Sequence, residues 1–165
     1  MYATDIDSIS LAHARANVAA NFPTRITVHE STPTSPLLAL DALAPGLELD
    51  FSMCNPPFYA SRAELAASSA SKALPPTSAC TGTDTEMVYA DGGEAGFAAR
   101  MLRESAALRA RVAWYTTLFG RRASIDAFVP LLRAAGVRAS STRPPSGGWG
   151  PAQTRRRPSC ARRQP

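Results

Sequence analysis

Apolar residues recur along the chain at two spacings, alternating over short runs and three-to-four apart over longer ones, and together they predict a succession of strands and helices. Met1-Tyr2-Ala3-Thr4-Asp5 reads as the second half of a strand. Asp7 or Ser8 can cap the helix that follows, which is predicted to run to about Asn17. Its apolar face would be Ile9, Ala12, Ala16 and Ala19 or Ala20. Residues 25–29 alternate and are β-rich, a second strand. Leu37-Leu38-Ala39-Leu40 makes a short helical or irregular connection to Asp41. Residues 47–54 predict a third strand, closed by a double proline that cannot join a ladder.

Residues 60–93 are rich in Ala, Ser, Thr, Pro and Gly and read as one long mobile loop, a length that in a compact domain signals function or disorder. Gly92-Gly93 introduces a helix over 94–109, with Phe97, Met101, Leu102, Ala106 and Leu108 towards the core. A fourth strand over 112–119, a helix over 124–135 stopped by Gly136, and a last short strand over 137–141 complete the pattern. The alternation of strand and helix predicts an open α/β sheet. Residues 1–141 form one domain on this reading. Residues 142–165 hold five prolines, three glycines and no periodicity, and are expected to be a disordered, basic tail.

Composition adds little to this. With 165 residues and 45% hydrophobic content the chain suits a single globular body. Of its 18 basic residues only Lys72 is a lysine. Arginine favours bidentate contact with phosphate and so suits a nucleic-acid partner, although GC-rich coding produces the same excess of Arg, Ala and Pro. Six of the arginines lie in residues 143–165, which carry no acid, so the body is close to neutral and the net charge of +5 does not locate an RNA-binding face. Cys54, Cys80 and Cys160 are odd in number and lack metal-ligand spacing. With no signal peptide, this predicts a reducing intracellular compartment, nucleus or cytoplasm, and no metal. No apolar stretch approaches the roughly 20 residues needed to cross a bilayer, so no membrane partner is expected.

The most informative residues are Asn55-Pro56-Pro57-Phe58, directly after the apolar run Leu49-Asp50-Phe51-Ser52-Met53-Cys54. Methylating an amine conjugated to a ring requires its lone pair to be turned towards the methyl donor. A side-chain amide oxygen and a neighbouring backbone carbonyl can accept from the two N–H groups and steady the charge that develops on nitrogen. Asn55 supplies the amide and Pro56 the carbonyl. The two prolines stiffen the turn so that both acceptors are held in place. Phe58, helped by Tyr59, offers a flat surface for an extruded base. The plainer alternative is a strand-ending turn built of good turn formers. Asp5 stands where the second strand of a doubly wound sheet would place an acid for ribose hydroxyls, while Asp7 suits a helix cap; both could equally be caps.

Four strings occur in order: ATDID with ARANV, DFSMCNPPFY, GTDTEMVYADGGEAGFAARMLRES, and RVAWYTTLFGRRAS. Through them, over about residues 2–141, the chain resembles the RNA adenine-N6 methyltransferases with the methyltransferase-10 domain. These include a bacterial enzyme for large-subunit ribosomal RNA and a eukaryotic one for spliceosomal small nuclear RNA. The resemblance implies a Rossmann-like methyltransferase sheet, S-adenosylmethionine as cofactor, and methylation of the exocyclic N6 amine of adenine in structured ribosomal or small nuclear RNA. It makes Asn55, Pro56, Pro57 and Phe58 the catalytic residues and Asp5 with Asn55 the cofactor contacts. Phe58 and Tyr59 become substrate contacts in a protein expected to be monomeric. Gly92-Gly93-Glu94 and Trp114-Tyr115-Thr116 match family motifs of mainly structural role.

Two departures accompany the match. The family's first strand and Gly-rich cofactor loop would stand ahead of residue 1, so the sheet is expected to be incomplete. The family's closing pattern of Gln-Gly, Thr, Arg-Trp and Ala-Trp is replaced by Pro144-Pro145-Ser146-Gly147-Gly148-Trp149 and an arginine-rich end, as a shifted reading frame or a retained intron would leave it. Beside the RNA methyltransferase stand two other readings. One is an amino-methyltransferase for protein glutamine or DNA adenine; the other is a catalytically impaired fragment or pseudo-enzyme that binds RNA through its tail.

Overall fold

The computed structural model describes residues 1–71, 83–140 and 151–155. In chain order the elements are β1 (Tyr2–Asp5), α1 (Ser8–Asn21), β2 (Thr27–Glu30), α2 (Leu40–Leu43), β3 (Leu49–Cys54), α3 (Arg62–Ser71) and α4 (Asp84–Met87). There follow α5 (Gly93–Leu108), a 3-10 turn (Arg109–Arg111), β4 (Val112–Leu118), α6 (Arg122–Ala134), β5 (Arg138–Ser140) and β6 (Pro151–Arg155). The predicted strand–helix alternation is therefore present, with element ends shifted by a few residues, where capping groups rather than periodicity decide.

The strands form two separate sheets. β1 and β2 pair in parallel, Tyr2 opposite Thr27 through Asp5 opposite Glu30. The second sheet has the order β3-β4-β6-β5, with β3 parallel to β4 (Phe51 opposite Trp114, Cys54 opposite Thr117) and β6 antiparallel to both its neighbours. Among the described residues one edge of β1 and one edge of β3 stay unpaired. The expected incompleteness of the sheet thus takes a definite form, a division between β1 and β3.

Two apolar clusters hold the larger part. Met101 of α5 meets Leu40, Val112 and Tyr115, with Leu37, Leu43, Leu47 and Leu49 around them. Ala98 of α5 meets Phe119, Phe128, Leu132 and Val137, and the Phe119 and Phe128 rings lie 5.3 Å apart. The connection ahead of α2 is held to α5 by polar contacts: Arg100 Nη2 donates to the Ser35 carbonyl at 2.7 Å and Leu38 N–H donates to Glu104 at 3.1 Å. On the buried side of α5 the residues are Ala98, Met101 and Ser105; Phe97 and Leu102 are half-buried and Ala106 is exposed, which narrows the predicted face.

Three expectations are corrected. First, α1 buries Leu11, with Ala14 and Val18 half-buried, while Ile9, Ala12, Ala16, Ala19 and Ala20 are exposed. The helix is so rich in alanine that two stripes have helical spacing, and packing against β2 selects the one that carries Leu11. Second, residues 60–93 are not one loop. They contain α3 and α4, and Tyr59 bridges in parallel to Val88; residues 72–82, with Lys72 and Cys80, lie outside the described residues. The spacing Thr83-Asp84-Thr85-Glu86 is a capping box, with Thr83 N–H donating to Glu86 at 2.9 Å. Third, part of the tail is ordered as β6. A segment Pro-Ala-Gln-Thr-Arg has no apolar alternation, and its strand is made by backbone pairing on both sides, with Pro151 at the strand start where no donor is needed. Residues 141–150 and 156–165, including Cys160, lie outside the described residues.

Candidate active site

Asn55 follows β3 directly and is exposed; among the described residues its amide makes no hydrogen bond, and neither does the Pro56 carbonyl. Pro56 is fully buried and anchors the turn. Phe58 is half-buried. Tyr59 is not an open ring: it is 9% exposed, its hydroxyl lies 3.0 Å from Ser68 Oγ, and the Arg121 guanidinium carbon stands 5.6 Å from its ring centroid. Its backbone is held on both sides, N–H to the Met87 carbonyl at 3.0 Å and carbonyl from Tyr89 N–H at 2.8 Å. In this geometry Tyr59 supports the loop, and little of its ring is open to a base. Cys54, one residue ahead of Asn55, has its thiol pushed up to about 11 by burial, so it stays protonated at neutral pH and is no nucleophile.

Beneath the loop lies the Gly92-Gly93-Glu94 turn that begins α5. Gly93 has φ of +58°, and a Cβ there would stand 3.0 Å from the Phe58 carbonyl oxygen and 3.1 Å from Ala60 N, so only glycine lets the two backbones meet. One turn on, a Cβ at Gly96 would lie 1.7 Å from the Asp91 carbonyl oxygen. Gly96→Ala is expected to destabilise the chain by about 3 kcal/mol or more, because backbone rather than a yielding side chain must move. Urea unfolding with an unchanged m-value would measure this; a loss below about 1 kcal/mol would show that the turn has room to relax.

Asp5 ends β1. Its Oδ1 accepts from the N–H groups of Ile6 at 2.7 Å and Asp7 at 2.9 Å, while Oδ2 has no partner among the described residues. Asp7 is the helix cap, accepting from Ser10 N–H at 2.8 Å. It also accepts from Thr83 Oγ1 at 2.9 Å, and Ser10 Oγ donates to Glu86. These two contacts, 76 residues apart in sequence, tie the carboxyl end of β1 to α4. α4 is in turn bonded to Tyr59, so Asp5 and Asn55 belong to one end of the molecule. That end, outside the carboxyl ends of parallel strands, is where doubly wound folds bind ligands.

The Ser10 N–H bond, with help from Thr83, holds the Asp7 carboxyl below its ordinary range, and the Ala60 N–H bond followed by Arg121 does the same for Glu64. A depressed acid contributes stability that is present above its unfolded value, about pH 4, and is lost as pH falls through the folded value. Stability should therefore decline below about pH 4. Asp7→Asn, which keeps the cap, should flatten that decline in urea midpoints recorded from pH 5 to pH 2.

An adenosyl cofactor fits these residues in part. Asp5 Oδ2, unengaged at the end of a strand, suits a ribose hydroxyl, and the Asn55 amide suits the reacting end. No glycine lies between β1 and α1, so the close backbone approach that such cofactors use elsewhere is not provided at that turn. Among the described residues no group of three or more His, Cys, Asp or Glu could hold a metal ion, and no helix is long and apolar enough to cross a membrane.

An α/β fold with an Asn-Pro-Pro-Phe turn beyond one strand and an acid ending another fits the amino-methyltransferase class. The family model described as RNA methyltransferase matches residues 1–143, and the chain belongs to that family. It is 36% identical over 138 residues to the RNA N(6)-adenosine-methyltransferase mettl16 of Danio rerio, covering 82% of this chain and 29% of the relative. Among solved structures it resembles the human Mettl16 catalytic domain in complex with a MAT2A 3'UTR hairpin, with TM-score 0.73 and 29% identity over 93% of this chain and 54% of that one. It also resembles the N-terminal domain of human METTL16 in complex with SAH, with TM-score 0.63 and 25% identity over 93% and 50%. The fold is thus the Rossmann-like methyltransferase sheet. The chain spans under a third of that curated relative's length and about half of the solved chains.

Proposed function

We propose that this chain methylates the exocyclic N6 amine of adenine in structured RNA, with S-adenosylmethionine as methyl donor. The observation that carries the reading is Asn55, exposed with an unengaged amide directly beyond the end of β3, on a turn pinned by buried Pro56. Asn55 Oδ1 and the Pro56 carbonyl each accept one N–H of the amine, which turns the nitrogen lone pair out of the ring plane and opposes the charge that forms on nitrogen. Phe58 stacks on the extruded base. Asp5 Oδ2 takes a ribose hydroxyl. The cofactor supplies an electrophilic methyl group. Relatives whose names specify adenosine N6 and a solved neighbour bound to an RNA hairpin support this substrate class. Acting as a monomer on ribosomal or small nuclear RNA, the chain would work inside the cell, in nucleus or cytoplasm.

The test uses the full chain with millimolar methyl-labelled S-adenosylmethionine and total RNA, DNA and protein as competing acceptors. Label recovered as N6-methyladenosine after RNA digestion is the expected result. Label only in DNA or in protein glutamine, or none at all, would overturn the proposal.

A further inference from the structure

The loop 58–60 is held from α3, from α5 and from the turn between β4 and α6, and three of the contacts meet at Arg121. From α5, Glu94 is 2% exposed and its carboxylate accepts from Gly120 N–H at 2.6 Å and Arg121 N–H at 3.1 Å, which fixes the turn between β4 and α6. From that turn the Arg121 side chain reaches back over the Tyr59 ring and pairs with Glu64 of α3. Glu64 in turn accepts from Ala60 N–H at 2.7 Å. Gly93 closes the fourth side, its backbone against the Phe58 carbonyl and Ala60 N. Arg121 therefore touches both the loop, at the Tyr59 ring, and Glu64, which holds the loop at Ala60. A residue in such a place controls the orientation of a reacting group it never contacts, and small displacements of that kind cost rate steeply.

We propose that Arg121, set by Glu94 and Glu64 and laid over Tyr59, is a positioning residue for the Asn55–Phe58 turn, governing turnover without contacting RNA. This rests on the function proposed above. Tyr59 is the handle: its ring takes the cation on one face, and its backbone, bonded to Met87 and Tyr89, transmits the position to Phe58 and the prolines. A bare surface ion pair would contribute little here. The geometric effect comes from the planar guanidinium serving ring and carboxylate together.

The experiment compares the full chain with Arg121→Met, Arg121→Lys and Tyr59→Phe. Amide exchange at Tyr59 and Ala60 is read relative to β4 amides, so that global opening cancels. Arg121→Met is expected to speed that local exchange about tenfold or more and to lower kcat about 10- to 30-fold, with KM for RNA within twofold. Arg121→Lys, which keeps the cation over the ring, should recover most of both effects, and Tyr59→Phe should change neither by more than about threefold. Unchanged local exchange in Arg121→Met overturns the proposal, as does faster exchange with unchanged kcat. A raised KM with unchanged kcat assigns Arg121 to RNA binding and also overturns it. Absence of methyl transfer by the unaltered chain is a failure of the function reading; the exchange arm then decides by itself whether Arg121 holds the loop.

Discussion

Methyl transfer to RNA is expected to fall by about 10²–10³-fold when Asn55 is replaced by alanine, with RNA affinity unchanged. The exposed amide makes no hydrogen bond among the described residues, so its removal leaves none of their buried groups unsatisfied and the fold should keep its stability. On the proposed mechanism, what disappears is one of the two acceptors that would turn the adenine amine towards the methyl donor. The other acceptor, a main-chain carbonyl, remains on a turn anchored by buried Pro56. The loss should therefore lie in kcat, the signature of an interaction made chiefly in the transition state. Single-turnover transfer at saturating cofactor, beside filter binding of the same RNA, would separate the two. Transfer within threefold of the unaltered chain would remove Asn55 from the chemistry.

The second large effect concerns the cofactor. Titrating S-adenosylmethionine into residues 1–165 should show affinity well short of the roughly 8 kcal/mol that a micromolar dissociation constant requires. In the proposed site Asp5 would offer one carboxylate oxygen to the ribose, but from a two-stranded sheet that, among the described residues, shares no ladder with the sheet bearing Asn55. The tie between them is the pair of side-chain contacts Asp7 to Thr83 and Ser10 to Glu86. Such contacts are worth about 1 kcal/mol each, far less than a continuous ladder would supply to hold the two ends of a ligand site at fixed separation. The same division leaves Phe51 58% and Met53 80% exposed on β3, and apolar surface left in water does not contribute to stability. Melting below about 45 °C is expected alongside the weak binding. Low-micromolar binding by calorimetry would show that the two sheets already form a competent site.

How far the site could be read in advance differed from residue to residue. Asn55 to Phe58 are contiguous, and their chemistry follows from residue type and order after an apolar strand. Asp5 is legible as an acid ending a strand, and among the described residues one of its oxygens has no partner. For Tyr59, an aromatic beside Phe58 reads as a second stacking surface, and the structure adds the parallel bridge to Val88 and the Arg121 cation that cover its ring. Glu64 and Arg121 carry no signal of their own in the sequence, and Glu94 stands out only as part of the Gly92-Gly93-Glu94 motif. They lie 27 to 57 residues apart, and no local pattern says that three charged side chains meet. The one signal that could have been used is Gly92-Gly93 followed by Glu94, a left-handed turn with an acid beyond it. The capping box at Thr83 and Glu86 was likewise visible at its own spacing, but the low-complexity composition around it suggested loop.

By itself, the sequence determined the order and kind of most elements, the strand-ending turn with its two acceptors, and through its motifs the family. These are local properties, set by side-chain period, by proline's missing donor and by the hydrogen-bonding inventory of an amide. Only the tertiary structure decided which stripe of the alanine-rich α1 is buried and that Pro151–Arg155 becomes a strand between β4 and β5. It also decided that the sheet divides between β1 and β3 and that Arg121 lies over Tyr59. Each depends on a partner distant in the chain: a backbone ladder whose sequence carries no alternation, a helix face chosen by what it packs against, or a carboxylate that meets its cation only after folding.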